Sequence, residues 1–125
     1  MDIKAQASFF SGNIDEAEWQ PFEYPQEGKL ETYGEVVPFR EAGSGGKLLA
    51  VGLWRCLTLG DSPMYCSELG DEAFLVLEGE VEITVLETGE KFHYREGDVG
   101  SWSQGTKTVW NIKQAFKKFY VVAAP

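Results

Sequence analysis

Between Gly60 and Asp98 the chain concentrates the side chains that can do chemistry. It reads Gly60-Asp-Ser-Pro-Met-Tyr-Cys66-Ser-Glu68-Leu-Gly-Asp-Glu72-Ala-Phe-Leu-Val-Leu-Glu-Gly79, and after a hairpin closes on Arg95-Glu-Gly97-Asp98. A carboxylate whose pKa is raised by burial can act as general acid or base, and Glu72, which opens the apolar run Ala73-Phe-Leu-Val-Leu77, is the candidate catalytic group. The one histidine, His93, alternates with Lys91 and Arg95, so its face is charged and it is expected in solvent. With His93 elsewhere, neither a Ser-His-Asp nor a Cys-His arrangement is available for nucleophilic catalysis. Gly43-Ser-Gly-Gly46 lacks the Lys-Ser/Thr and helix of a phosphate-binding loop and reads as a linker.

The elements that must position these groups are strands. Leu48 to Leu59 is one long apolar strand, with Gly52 marking a bend. Glu72 to Leu77 is apolar on both parities, which predicts a central strand covered on both faces. Glu80 to Leu86 alternates, placing Val81, Ile83 and Val85 on one face. Thr88-Gly89 turns the chain into Lys91–Arg95, Glu96-Gly97 turns it again into Asp98–Trp102, and strands over 106–112 and 116–122 follow. Short strands at regular spacing predict an antiparallel sandwich or small barrel.

Before Gly43 the pattern is irregular. Pro21, Pro25, Gly28 and Pro38 interrupt regular elements, leaving a helical turn near Asp15–Trp19 and a single strand over Glu35–Phe39. Residues 1–42 therefore read as an N-terminal arm whose aromatic residues pack on the barrel or on a partner subunit, and 43–125 as the domain proper. A chain of 125 residues suits one domain burying roughly two-thirds of its unfolded surface.

The formal charge of −9 argues against nucleic acid and anionic membrane as partners. The opening residues 1–10 hold no apolar core of signal-peptide length, and no run approaches the ~18 apolar residues of a membrane span, so a cytoplasmic protein is expected. Cys56 and Cys66 are expected as free thiols, small buried groups on strands.

The residues Trp54-Arg-Cys56 before Gly60, then Asp71-Glu72, Leu77-Glu-Gly79, Glu96-Gly-Asp98, Gly105, Trp110 and Lys118-Phe-Tyr120-Val121 resemble the two motifs of the cupin superfamily. The likeness is to small single-domain members, such as the cupin region of ureidoglycine aminohydrolase and of ethanolamine-utilisation proteins, and covers about the last two-thirds of the chain. It implies an all-β fold, an antiparallel double-sheet jelly-roll barrel with an irregular N-terminal arm. In that family the first motif supplies a His-x-His pair and a Glu to a metal, and the second motif a further His. Glu72 matches the Glu. The histidine positions hold Cys66 and Glu68 with a three-residue spacer, or Tyr65 and Ser67 with a four-residue one, and the last position holds Thr108.

Thiolate suits zinc or iron and carboxylates favour harder ions, so Cys66, Glu68 and Glu72 form an S,O,O set for a divalent metal only in principle. The expectation is a barrel without the usual His-ligated metal and without another cofactor. The resemblance places ligands in the barrel mouth, and if Thr108 faces inward, Trp110 shares its face. Trp54, Tyr65, Cys66, Glu68, Trp102, Gln104, Thr108 and Trp110 are then the expected pocket, suited to a small polar amine, ureide or sugar-like metabolite. The bland alternative is that these aromatic residues fill the barrel. The rival functions are a metal-dependent enzyme of nitrogen or sugar metabolism and a dimeric interaction module. A homodimer paired through barrel strands is expected.

Overall fold

The computed structural model describes residues 9–125. The first eight residues of the arm, and with them most of the stretch read for a leader, lie outside the described residues. The strands are β1 (Gln20–Gln26), β2 (Lys29–Arg40), β3 (Leu48–Cys56), β4 (Gly60–Asp61), β5 (Tyr65–Cys66), β6 (Asp71–Val85), β7 (Lys91–Arg95), β8 (Val99–Trp102) and β9 (Lys107–Ala124). All pairings among them are antiparallel. Among the described residues no helix is long and apolar enough to cross a membrane.

Two long strands, β6 and β9, form the spine. The first half of β6 pairs with the end of β9 from Asp71↔Ala123 to Val76↔Lys118, and its second half pairs with the start of β9 from Val81↔Ile112 to Val85↔Thr108. The register shifts three times between Val76 and Val81. This irregularity bends the pair out of one sheet and into the other. On one side of it lie β1, β2, β3 and β8; on the other lie β4, β5 and β7. The result is the double-sheet jelly roll.

Gly79 sits at the bend with φ +87°, a left-handed conformation, and a Cβ there would collide with the Ala115 carbonyl oxygen. The shift also switches which parity faces inward. Glu72, Phe74 and Val76 are buried before it, and Val81 and Ile83 after it.

Several elements differ from the sequence reading. The segment before Gly43 carries two strands rather than one, β1 and β2, and β2 pairs with β3 from Glu35↔Arg55 to Arg40↔Val51. Proline is tolerated there because β1 is an edge strand and the β2–β3 register shifts beside Pro38. Near Asp15 there is a turn, Glu16 N–H donating to the Asn13 carbonyl at 3.3 Å, and no helix. The strand expected to run to Leu59 ends at Cys56, with Leu57 and Leu59 exposed. Gly52 marks no bend on the β9 side, where the register is unbroken; a Cβ there would strike the Val37 carbonyl oxygen. The strands expected over 106–112 and 116–122 are one continuous strand, β9.

The expected two-sided burial of residues 72–77 is also corrected. Only the even positions are buried in this chain, and Ala73 and Leu75 face outward, Leu75 beside Val99. Elsewhere that outer face carries the arm, with the Arg55 guanidinium 4.3 Å from the Trp19 ring centroid and Arg40 4.5 Å from that of Phe10. Inside, Trp54, Cys56, Phe74, Val76, Val81, Ile83, Trp110, Ile112 and Phe116 make one core.

Candidate functional site

A lysine stands at the centre of the barrel interior. Strand parity puts Lys118 on the same inward face of β9 as Thr108, Trp110, Ile112 and Phe116, all of them buried. Its ammonium donates to Glu72 Oε2 at 2.6 Å, and the two side chains are 8% and 4% exposed. Four rings surround the same nitrogen: Trp110 at 4.5 Å, Trp102 at 5.3 Å, and Trp54 and Phe74 at 5.4 Å. Desolvating an ammonium costs several kcal/mol, and a carboxylate together with aromatic faces, each worth up to about 2 kcal/mol in a dry site, offsets that cost.

Beside this pair opens a cavity of about 250 Å³. Its walls are Phe22 and Tyr24 from β1, Tyr33 from β2, Trp54 from β3, Tyr65 from β5, and Trp110 and Tyr120 from β9, with Glu72 and Lys118 on the floor. Tyr24 packs edge-on to Tyr65 at 5.2 Å, closing the wall between β1 and β5. Glu72 Oε1 makes no hydrogen bond among the described residues, so one carboxylate oxygen at the cavity is unused.

Burial, and then the Glu72 charge, push the Tyr65 hydroxyl above its ordinary range. The same two causes, with Glu41 as a third, push Tyr120 up to about 12. Both remain neutral hydrogen-bond donors at physiological pH.

The structure divides the expected pocket residues. Trp54, Tyr65, Cys66, Glu68, Trp110 and Glu72 line the cavity; Trp102, Gln104 and Thr108 do not. Trp102 instead flanks the Lys118 ammonium, its indole N–H buried without a hydrogen-bond partner among the described residues. Gln104 is exposed and ties loops together, its Nε2 donating to the Glu68 carbonyl and its backbone N–H to Asp71 Oδ1, both at 2.7 Å. Thr108 accepts from Trp110 Nε1 at 3.0 Å and donates to the Tyr65 carbonyl at 3.3 Å, which fixes the indole. Glu72, expected as the catalytic carboxylate, is ion-paired with Lys118.

The sequence reading did not assign Lys118, Tyr120, Tyr33, Phe22 or Tyr24 to the pocket. Parity was the available signal for two of them, since Lys118 and Tyr120 continue the even-numbered face of Trp110. His93 is half exposed, 3.4 Å from Glu80 Oε1.

A cupin metal would need donors that this site does not gather. Among the described residues no three His, Cys, Asp or Glu side chains are placed to hold an ion. The Cys66 thiol is pushed up by burial and then by the Glu68 charge, which disfavours the thiolate. Thr108 is committed to Trp110 and Tyr65, and the carboxylate at the family's Glu position is bonded to an ammonium. Cys66, Glu68 and Glu72 therefore do not fit a metal.

A bent double-sheet barrel with its mouth lined from both sheets defines a small cupin. The family described as EutQ-like cupin domain matches residues 45–120, and the chain belongs to that family. No curated protein sequence matches the chain significantly. Similar solved structures include a proposed ethanolamine utilization protein Q of Salmonella typhimurium LT2, 15% identical with TM-score 0.62, over 86% of this chain and 96% of that one. The cupin domain of Cnp3 from Schizosaccharomyces pombe is 16% identical with TM-score 0.60, over 86% and 88% of the two chains. Ectoine synthase of P. lautus is 18% identical with TM-score 0.60, over 71% and 62%. At these identities the likeness is one of fold.

Proposed function

We propose that this cupin binds a small, neutral, polar metabolite in the barrel mouth, with the Glu72–Lys118 pair as the recognition element. The observation that carries the reading is an ion pair at the floor of an aromatic-walled cavity, with one carboxylate oxygen unused. A cavity of about 250 Å³ lies near the lower end of small-molecule pockets, which suits a small metabolite.

The charges on the floor cancel. An incoming amine meets Lys118 as well as Glu72, and an incoming carboxylate meets Glu72 as well as Lys118, so each brings one like-charge contact, whereas a neutral group that both donates and accepts satisfies the pair. A ureide, an amide or a polyol has that character. Its N–H or O–H donates to Glu72 Oε1, its oxygen accepts from Tyr65 or Tyr120, and its flat face stacks on Trp110 or Trp54.

Native mass spectrometry of tag-free protein, followed by calorimetry with neutral ureides and polyols, tests the reading. Saturable binding that weakens about tenfold or more in Glu72→Gln is expected, the scale of one hydrogen bond to a charged group. Binding of alkylammonium ions alone, or stoichiometric metal lost in Glu72→Gln, would replace it with a different function.

A further inference from the structure

The cavity lining contains one primary amine among the described residues, that of Lys118. We propose that Lys118 captures small aldehydes or ketones as a reversible imine. The proposal rests on the cavity being a ligand site and adds a covalent reaction to it.

A lysine becomes a nucleophile once a neighbouring base has taken its ammonium proton. Glu72 Oε2 is that base, 2.6 Å from the nitrogen and already accepting its hydrogen bond. Once the proton has moved to Glu72, the nitrogen lone pair forms a C–N bond to the carbonyl carbon, and the C=O π electrons go to oxygen. The oxygen takes up the proton that the attacking nitrogen releases, giving a neutral carbinolamine. Glu72 then returns its proton to the departing hydroxyl, which leaves as water while the nitrogen lone pair forms C=N. The sum is an ammonium and a carbonyl giving an iminium and water.

Neither charge changes. The cation still faces the Glu72 carboxylate inside the rings of Trp110, Trp102, Trp54 and Phe74, so the surroundings that hold the ammonium also hold the iminium. The Tyr65 and Tyr120 hydroxyls line the same cavity and remain protonated, available to the carbonyl oxygen.

The test is reductive trapping of the full chain with propanal and sodium cyanoborohydride, read by intact mass and a peptide map. The expected result is a single N-propyl adduct that maps to Lys118 ahead of all other lysines. It should be lost in Lys118→Arg, which keeps the cation, and form about 10²-fold more slowly in Glu72→Gln, the scale of general acid–base assistance. The map on the unaltered chain decides the matter even where Lys118→Arg does not fold. Adducts confined to other lysines overturn the proposal. Calorimetry with N-methylurea on the same protein separates the two readings: binding without a Lys118 adduct sinks the imine alone, and absence of both sinks the ligand site as well.

Discussion

Glu72 and Lys118 show how a ligand position can be kept while its chemistry changes. The glutamate is legible in the sequence as the one family ligand retained; its partner is not, because Lys118 lies far along the chain and a lysine in a strand reads as surface unless its parity is followed. The aromatic box works as a cation site filled by the protein's own side chain. Lys118→Ala should therefore be destabilised and then stabilised by millimolar methylammonium, seen as a rise in unfolding temperature absent from the unaltered protein. A methylammonium effect equal in both would show that the box holds no cation. Tyr120 gives a pH prediction. Its pKa rises from 10.0 to about 12 on folding, so the folded chain keeps a proton that the unfolded chain loses first. Its contribution to stability is fully present below pH 10 and is lost as pH climbs from 10 to about 12. Tyr120→Phe should flatten that part of the alkaline unfolding curve followed by circular dichroism.

At the scale of elements, the bend in β6 and β9 carries the fold. Its signature, Leu77-Glu-Gly79, is a short local pattern, which is why the jelly roll is readable without the family's histidine ligands. What escaped reading was non-local. The merging of two expected strands into β9 depends on pairing to β3 and, across the bend, to both halves of β6, and the outward exposure of Ala73 and Leu75 depends on what does or does not cover that face. Gly79→Ala should cost about 1–2 kcal/mol for left-handed backbone in a residue with a Cβ, plus the displacement of Ala115. Urea unfolding would measure it. A loss below about 0.5 kcal/mol, the range of an innocuous surface change, would mean that the bend does not depend on this glycine.

For the molecule as a whole, the matched family region begins at residue 45, yet Phe22, Tyr24 and Tyr33 from the preceding hairpin form one wall of the cavity. Prolines and glycines made that hairpin look irregular, since its strands exist only through pairing with each other and with β3. Removing residues 1–42 should open the cavity and leave β3 as an unpaired edge, giving light scattering from aggregates and loss of ligand binding. A monodisperse truncation that binds unchanged would assign the site to the matched region alone. The claim beneath all of this is that the interior cation of the barrel is Lys118, balanced by Glu72. A double-mutant cycle on global unfolding with Glu72→Gln, Lys118→Met and the pair tests it most directly. Each single change should cost about 3–5 kcal/mol by stranding a buried charge, and the double change far less than their sum. Additive losses would contradict the account.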